Sequence, residues 1–113
     1  MTCSPGDLAL IPFPYADMNS SKKRPVLVLT APDRHGDFIA LAVTSVEQTQ
    51  QAIRLEPHHL VEGTLPRTSW VRLDKIFTLS TGNIAKTIGR VEAAVMRNAL
   101  AGLCAAVGYP PVG

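Results

Sequence analysis

Three cations stand in a row at Lys22, Lys23 and Arg24, immediately before the apolar run Pro25-Val26-Leu27-Val28-Leu29. Adjacent positive side chains repel one another and offer nothing to a core. The run therefore reads either as a holder of an external anion or as a solvated loop. Arg24 adjoins the apolar run, so a strand can fix its backbone while its guanidinium, a planar fork of donors, meets phosphate oxygens. Thr44 and Ser45 close another apolar run, and their hydroxyls can donate to a non-bridging oxygen. Arg72 and Asp74, two apart in an alternating stretch, share a strand face. Such a pair can divide acid and base work or form a simple ion pair.

If the anion is an RNA phosphodiester, the nucleophile arrives with the substrate as the neighbouring 2′-hydroxyl. The protein then needs only proton transfer and charge stabilisation at phosphorus, with no metal. The remaining polar candidates are less suited to chemistry. His35 lies in a turn, and no acidic residue at ligand spacing joins His58 and His59 in a metal site, so all three read as solvated or locally hydrogen-bonded. Trp70 reads as core or interface rather than a stacking platform. Cys3 and Cys104 have no C-x-x-C spacing, which argues against structural zinc.

Composition bounds the class. With 113 residues, 46% hydrophobic and 18% charged, the chain suits one folded domain spanning 1–113, with surface to spare for a subunit interface. A net charge of +2 does not by itself announce nucleic-acid binding; what matters is where the cations gather. Met1 to Asp7 has neither the cations nor the apolar core of a signal peptide, and the apolar tract near Leu100 to Val107 is too short to span a bilayer. The expectation is a cytoplasmic protein with no membrane segment and free thiols, Cys104 buried as a small hydrophobe.

The elements that must position these residues follow from pattern. Leu8 to Phe13 reads as a first strand ended by Pro12 and Pro14, and Tyr15 to Lys23 as a loop of turn formers. Pro25 to Thr30, Phe38 to Ser45 and Ala52 to Leu55 read as further strands, with a turn at Pro32 to Asp37. His58 to Pro66 reads as irregular. Ser69 to Leu79 alternates as a fifth strand, Val71 and Leu73 on one face, Trp70, Arg72 and Asp74 on the other. Gly82 to Gly89 reads as a turn or single helical turn. Glu92 to Val107 spaces Met96, Leu100, Leu103 and Val107 along one helical face, poorly capped at its start and ended by Gly108. Short strands followed by a terminal helix give a mainly β protein, a small antiparallel barrel or sandwich with a C-terminal α-helix.

Taken in order, these segments resemble the PemK/MazF family of endoribonuclease toxins from type II toxin–antitoxin modules. Gly6-Asp7-Leu8-Ala9-Leu10-Ile11-Pro12-Phe13-Pro14 is similar to that family's opening strand, and Lys23-Arg24-Pro25-Val26-Leu27-Val28-Leu29 to its Arg-Pro strand. Val43-Thr44-Ser45, Val71-Arg72-Leu73-Asp74-Lys75-Ile76 and Ile88-Gly89-Arg90-Val91 with the terminal helix complete the series. The resemblance implies an SH3-like barrel, a homodimer, no cofactor, and metal-independent, sequence-specific cleavage of single-stranded RNA. It implies products with a 2′,3′-cyclic phosphate and a 5′-hydroxyl, and inhibition of translation and growth. Arg24 and Thr44 match the family's catalytic arginine and threonine; Arg72 and Asp74 match the acid and base of the PemK-type branch. Asn19, Ser20, Lys22, Lys23 and Ser45 would contact RNA, and an antitoxin's C-terminal tail would compete over the first loop and groove. DNA would be met only through the antitoxin complex. Unlike some PemK-type members, this first loop holds no histidine. Two rival readings are a barrel that binds RNA while cutting weakly or not at all, and a corepressor acting with its antitoxin.

Overall fold

Apolar residues run unbroken through Leu8–Ile11, Val26–Leu29 and Phe38–Val43, and the chain answers by burying both faces of one sheet. A computed structural model describes residues 2–12 and 22–109. Seven strands form in chain order: β1 (Asp7–Pro12), β2 (Lys23–Val28), β3 (Asp37–Thr44), β4 (Ala52–Leu55), β5 (Leu60–Gly63), β6 (Ser69–Ser80) and β7 (Lys86–Val91). Helix α1 (Ala93–Ala106) follows. Every strand pairing is antiparallel, in the order β4-β6-β3-β2-β1-β7-β5, and the sheet curls into a half-barrel closed by the helix.

One face holds the larger core, where Leu8, Leu27, Leu41, Val43, Val71 and Leu73 meet Val95 and Ala99 of α1. The other face holds a smaller core of Cys3, Ala9, Ile11, Val26, Val28, Phe38, Ala40 and Ile84. Burying each large aliphatic side chain contributes about 1.5–3 kcal/mol, so the larger core carries most of the hydrophobic stabilisation. Hairpin β2–β3 turns on Asp33, whose Oδ1 accepts from the backbone N–H groups of His35 and Asp37 at 2.8 and 3.0 Å. Those bonds hold the Asp33 carboxyl below the usual carboxylate range.

Several sequence expectations shift. β2 starts at Lys23, not Pro25, so Arg24 lies within a strand rather than before one. Pro25 is tolerated because the β2–β3 ladder reaches only Val26↔Ala42; over Lys23–Pro25, β2 pairs with β1 alone and its other edge is free of ladder bonds. The stretch expected to be irregular contains β5, and the expected turn at 82–89 gives way at Lys86 to β7. These two strands pack Gly63 against Gly89. A Cβ on Gly63 would strike the backbone of Ile88, and one on Gly89 would lie 2.7 Å from the Glu62 carbonyl oxygen. Only glycine fits this close approach.

Helix α1 also corrects its expected face. Val95 and Ala99 are buried, with Met96, Leu103 and Ala106 packed beside them, whereas Leu100 is 44% and Val107 64% exposed. The reason is close packing: a Cβ on Gly102 would lie 2.7 Å from Leu73 Cδ1, so the helix rides low on its small residues and turns Leu100 outward. Cys104, expected to be buried, is exposed by the same rotation, and Cys3 is the buried thiol. Burial and the nearby Asp7 push the Cys3 thiol up. At the helix start Glu92 makes no side-chain cap bond, as the sequence suggested. At its end Gly108 (φ +86°) donates to the Ala105 carbonyl at 3.1 Å and Tyr109 to that of Cys104 at 2.8 Å, satisfying two final carbonyls.

Candidate active site

The sheet's register decides which candidates share a neighbourhood. β3 lies between β6 and β2. Thr44, its last residue, pairs with Trp70 of β6, and Arg72 lies two residues on, on the same face as Trp70. Continuing the Val26↔Ala42 ladder by two residues sets Arg24 level with Thr44. Arg24, Thr44 and Arg72 thus share the face opposite α1, on three adjacent strands at one end of the sheet. The β2–β3 ladder itself ends at Val26↔Ala42, two residues short of both.

Arg72 and Asp74 occupy an irregular stretch. β3 offers Ala42 alone between Leu41 and Val43, while β6 places residues 72–75 between their partners Ile76 and Val71. The surplus makes β6 leave β3 in an extended bulge, while the Leu73 N–H bonds to the Gln51 carbonyl at 2.8 Å. On the bulge, Arg72 Nε donates to Asp74 Oδ1 at 3.2 Å and Nη2 to Oδ2 at 3.0 Å. This side-on pair leaves Nη1 without a hydrogen bond to any described residue. The Arg72 hydrogen bonds hold the Asp74 carboxyl below the usual carboxylate range, despite a small opposing effect of burial. At neutral pH Asp74 is a proton acceptor, not a donor.

Thr44 has a different preparation. Its Oγ1 accepts from the Val46 N–H at 3.1 Å, which fixes the side chain and leaves the hydroxyl hydrogen to donate elsewhere. Arg24 is exposed, and no hydrogen bond or ion pair to another described residue engages its guanidinium. Lys22, Lys23 and Ser45 are also exposed at this end. Asn19 and Ser20, expected to contact RNA, lie outside the described residues.

The histidines sit apart from this constellation. Arg34 Nε donates to His35 Nε2 at 3.2 Å, and His59 Nδ1 accepts from the Glu56 N–H at 2.9 Å with the His58 ring beside it. Among the described residues, no three His, Cys, Asp or Glu side chains converge as metal ligands would. Sequence reasoning passed over Arg67. It lies in the β5–β6 connection and lines a cavity with Pro25 and Ser45, the immediate neighbours of Arg24 and Thr44. Nothing in Pro66-Arg67-Thr68 signals this, because the proximity arises from pairing between distant segments.

A curled antiparallel half-barrel with one C-terminal helix, carrying Arg24, Thr44 and Arg72 at one end of one face, defines the structural class. The family model of the PemK-like, MazF-like toxin of type II toxin–antitoxin systems matches residues 4–107, and the chain belongs to that family of toxin endoribonucleases. Solved structures agree on the fold. An endoribonuclease in complex with its cognate antitoxin from a mycobacterial species superposes with a TM-score of 0.76 at 22% identity, covering 96% of this chain and 97% of that one. A MazE–MazF structure from Deinococcus radiodurans gives 0.74 at 19% identity, with 97% and 99% covered. The Mycobacterium tuberculosis toxin MazF-mt6 gives 0.68 at 21% identity, with 92% and 98% covered. Comparison with curated proteins finds no significant match. No helix among the described residues is long and apolar enough to cross a membrane.

Proposed function

We propose that this chain is a toxin that cuts single-stranded RNA at short sequences without a metal ion, arresting translation and growth. The observation that carries the reading is the placement of Arg24, Thr44 and Arg72 on one face of three adjacent strands, where one phosphodiester can meet all of them. The 2′-hydroxyl attacks the adjacent phosphorus, its proton passing to the ionised Asp74 carboxylate. The bond from phosphorus to the 5′-oxygen breaks, and that oxygen takes a proton from solvent. A 2′,3′-cyclic phosphate and a 5′-hydroxyl result. Arg24 and the remaining Arg72 nitrogen stabilise charge on the phosphoryl oxygens, and the Thr44 hydroxyl donates to one of them. The Arg24 guanidinium is a delocalised cation that offers donors only, so Arg24 acts as a charge stabiliser rather than a base. Lys22, Lys23 and Ser45, with Asn19 and Ser20 from the first loop, hold flanking nucleotides.

The working form is a homodimer in the cytoplasm, where its RNA resides, built of one toxin domain over 1–113. The exposed Leu100 on α1 and Val107 just past its end support a subunit contact. The cognate antitoxin lays its C-terminal tail over the first loop and groove, and the pair meets DNA through the antitoxin. Incubating purified wild type and Arg24→Ala with single-stranded RNA in excess EDTA tests the assignment. The expected outcome is wild-type fragments whose 5′ ends accept a labelled phosphate without prior dephosphorylation, and at least about a hundredfold less product from the variant. Equal cleavage by both proteins removes Arg24 from the mechanism, and abolition by EDTA removes metal independence.

A further inference from the structure

A cavity of about 200 Å³ opens beside the proposed active site, on the other side of the strand ends. Its walls are mostly the apolar side chains of Leu10, Pro25, Leu65 and Ile88, and Ser45 and Arg67 stand among the lining residues. Pro25 follows Arg24 and Ser45 follows Thr44, so the cavity begins one residue from each phosphate-facing group. The segment that carries Arg67 is tethered at both ends. Thr64 N–H donates to the Ile88 carbonyl at 3.2 Å, and Thr68 Oγ1 donates to Glu56 Oε2 at 3.0 Å. Ser69 Oγ donates to the Arg67 carbonyl itself at 3.2 Å. The backbone of Arg67 is thus held, while its exposed guanidinium meets no partner among the described residues.

We propose that this cavity seats one unstacked nucleobase next to the scissile phosphate, and that Arg67 selects there for a keto base, uracil or guanine. The proposal rests on the nuclease reading above. A base hangs one sugar away from its phosphate, so a slot adjoining the phosphate-facing residues receives a base of the same strand. Apolar walls accept the faces of any base, as in most recognition of single-stranded RNA. The guanidinium, however, has donors only. Carbonyl oxygens of uracil, or O6 and N7 of guanine, satisfy those donors, whereas the amino group of adenine or cytosine would set donor against donor.

The test is to expose wild type, Arg67→Ala and Leu65→Ala to a randomised single-stranded RNA pool and to sequence the 5′ ends of the products. Wild type is expected to favour a keto base at one position beside the cut. Arg67→Ala should flatten that preference by about tenfold or more while the other positions of the motif persist. Leu65→Ala widens the slot and should alter the same position; circular dichroism establishes that it folds. Arg67 is exposed, so its variant decides the matter alone if Leu65→Ala does not fold. Wild-type cleavage with unchanged preferences in Arg67→Ala overturns the base slot and leaves the nuclease reading standing. Unchanged preferences combined with lost capture of the co-expressed antitoxin assign the cavity to a protein side chain and overturn it equally. A wild type that cuts no RNA overturns the nuclease reading itself.

Discussion

Arg72 clasps Asp74 side-on, with contacts of 3.2 and 3.0 Å, on the bulge where β6 departs from β3. The clasp holds the carboxyl below the usual carboxylate range and fixes the direction of the arginine together. Asp74→Asn keeps the shape but removes the proton acceptor. Its kcat is expected to fall by about 10²–10⁴-fold with little change in RNA affinity, measured by single-turnover cleavage and filter binding.

The same pair makes a pH prediction. The folded-state pKa of Asp74 is lowered by Arg72 from the ordinary value of 3.8. Its stabilising contribution is therefore complete above that ordinary value and is lost as pH falls through the lower folded one. Because the pair is partly exposed, the effect is small and weakened by salt. Between pH 5 and 8 no inflection in the cleavage rate should come from Asp74; a rate profile with a carboxylate step near pH 6 that vanishes in Asp74→Asn contradicts the assignment.

Thr44 holds its hydroxyl by accepting the Val46 N–H, so a valine in its place leaves that N–H to water. Thr44→Val is expected to lose about 10²-fold in kcat, and no more than about 1 kcal/mol of stability. Thr44→Ser keeps the hydroxyl and should restore most of the rate. Parallel cleavage assays and urea melts separate the two effects.

Arg24→Lys preserves charge and abandons the planar fork. RNA affinity should change by less than about threefold while cleavage falls by about 10–100-fold, since a point charge cannot span two phosphoryl oxygens. Lys23→Ala should instead weaken binding uniformly across sequences and reduce the slope of log affinity against log salt by about 0.7. Fluorescence anisotropy over a salt series reads both.

Gly89→Ala tests the fold rather than the chemistry. The added Cβ would meet the Glu62 carbonyl at 2.7 Å and Leu60 Cδ2 at 2.9 Å. A loss of about 1–3 kcal/mol is expected from urea unfolding, with β5 displaced from β7. A variant as stable as wild type would mean that these strands do not approach so closely.

Much of the architecture was legible along the chain. β4 appears at the expected residues, Val71 and Leu73 face the core as their alternation requires, and Gly108 ends the helix. Local pattern suffices where the side chains of one segment alternate cleanly and the turn chemistry is contained in a few residues, as at Asp33. β5 and β7 escaped notice because Gly63 and Gly89 occupy the positions where a readable strand would carry a side chain. Their reason for being glycine is each other, across the sheet.

The sequence by itself determined the types of residue available for phosphate chemistry, the mainly β class with a terminal helix, and the family likeness. Only the tertiary structure decided that Arg24 lies inside β2 on the face that Thr44 shares, that the surplus residues of β6 present Arg72 clasped to Asp74, and that Arg67 joins Pro25 and Ser45 around one cavity. It also chose which side of α1 is buried, Val95 and Ala99 over Leu100 and Val107. The physical reason is common to all four. Periodicity describes what one segment exposes to either side, whereas register, bulges and the closeness of packing depend on the segments it meets.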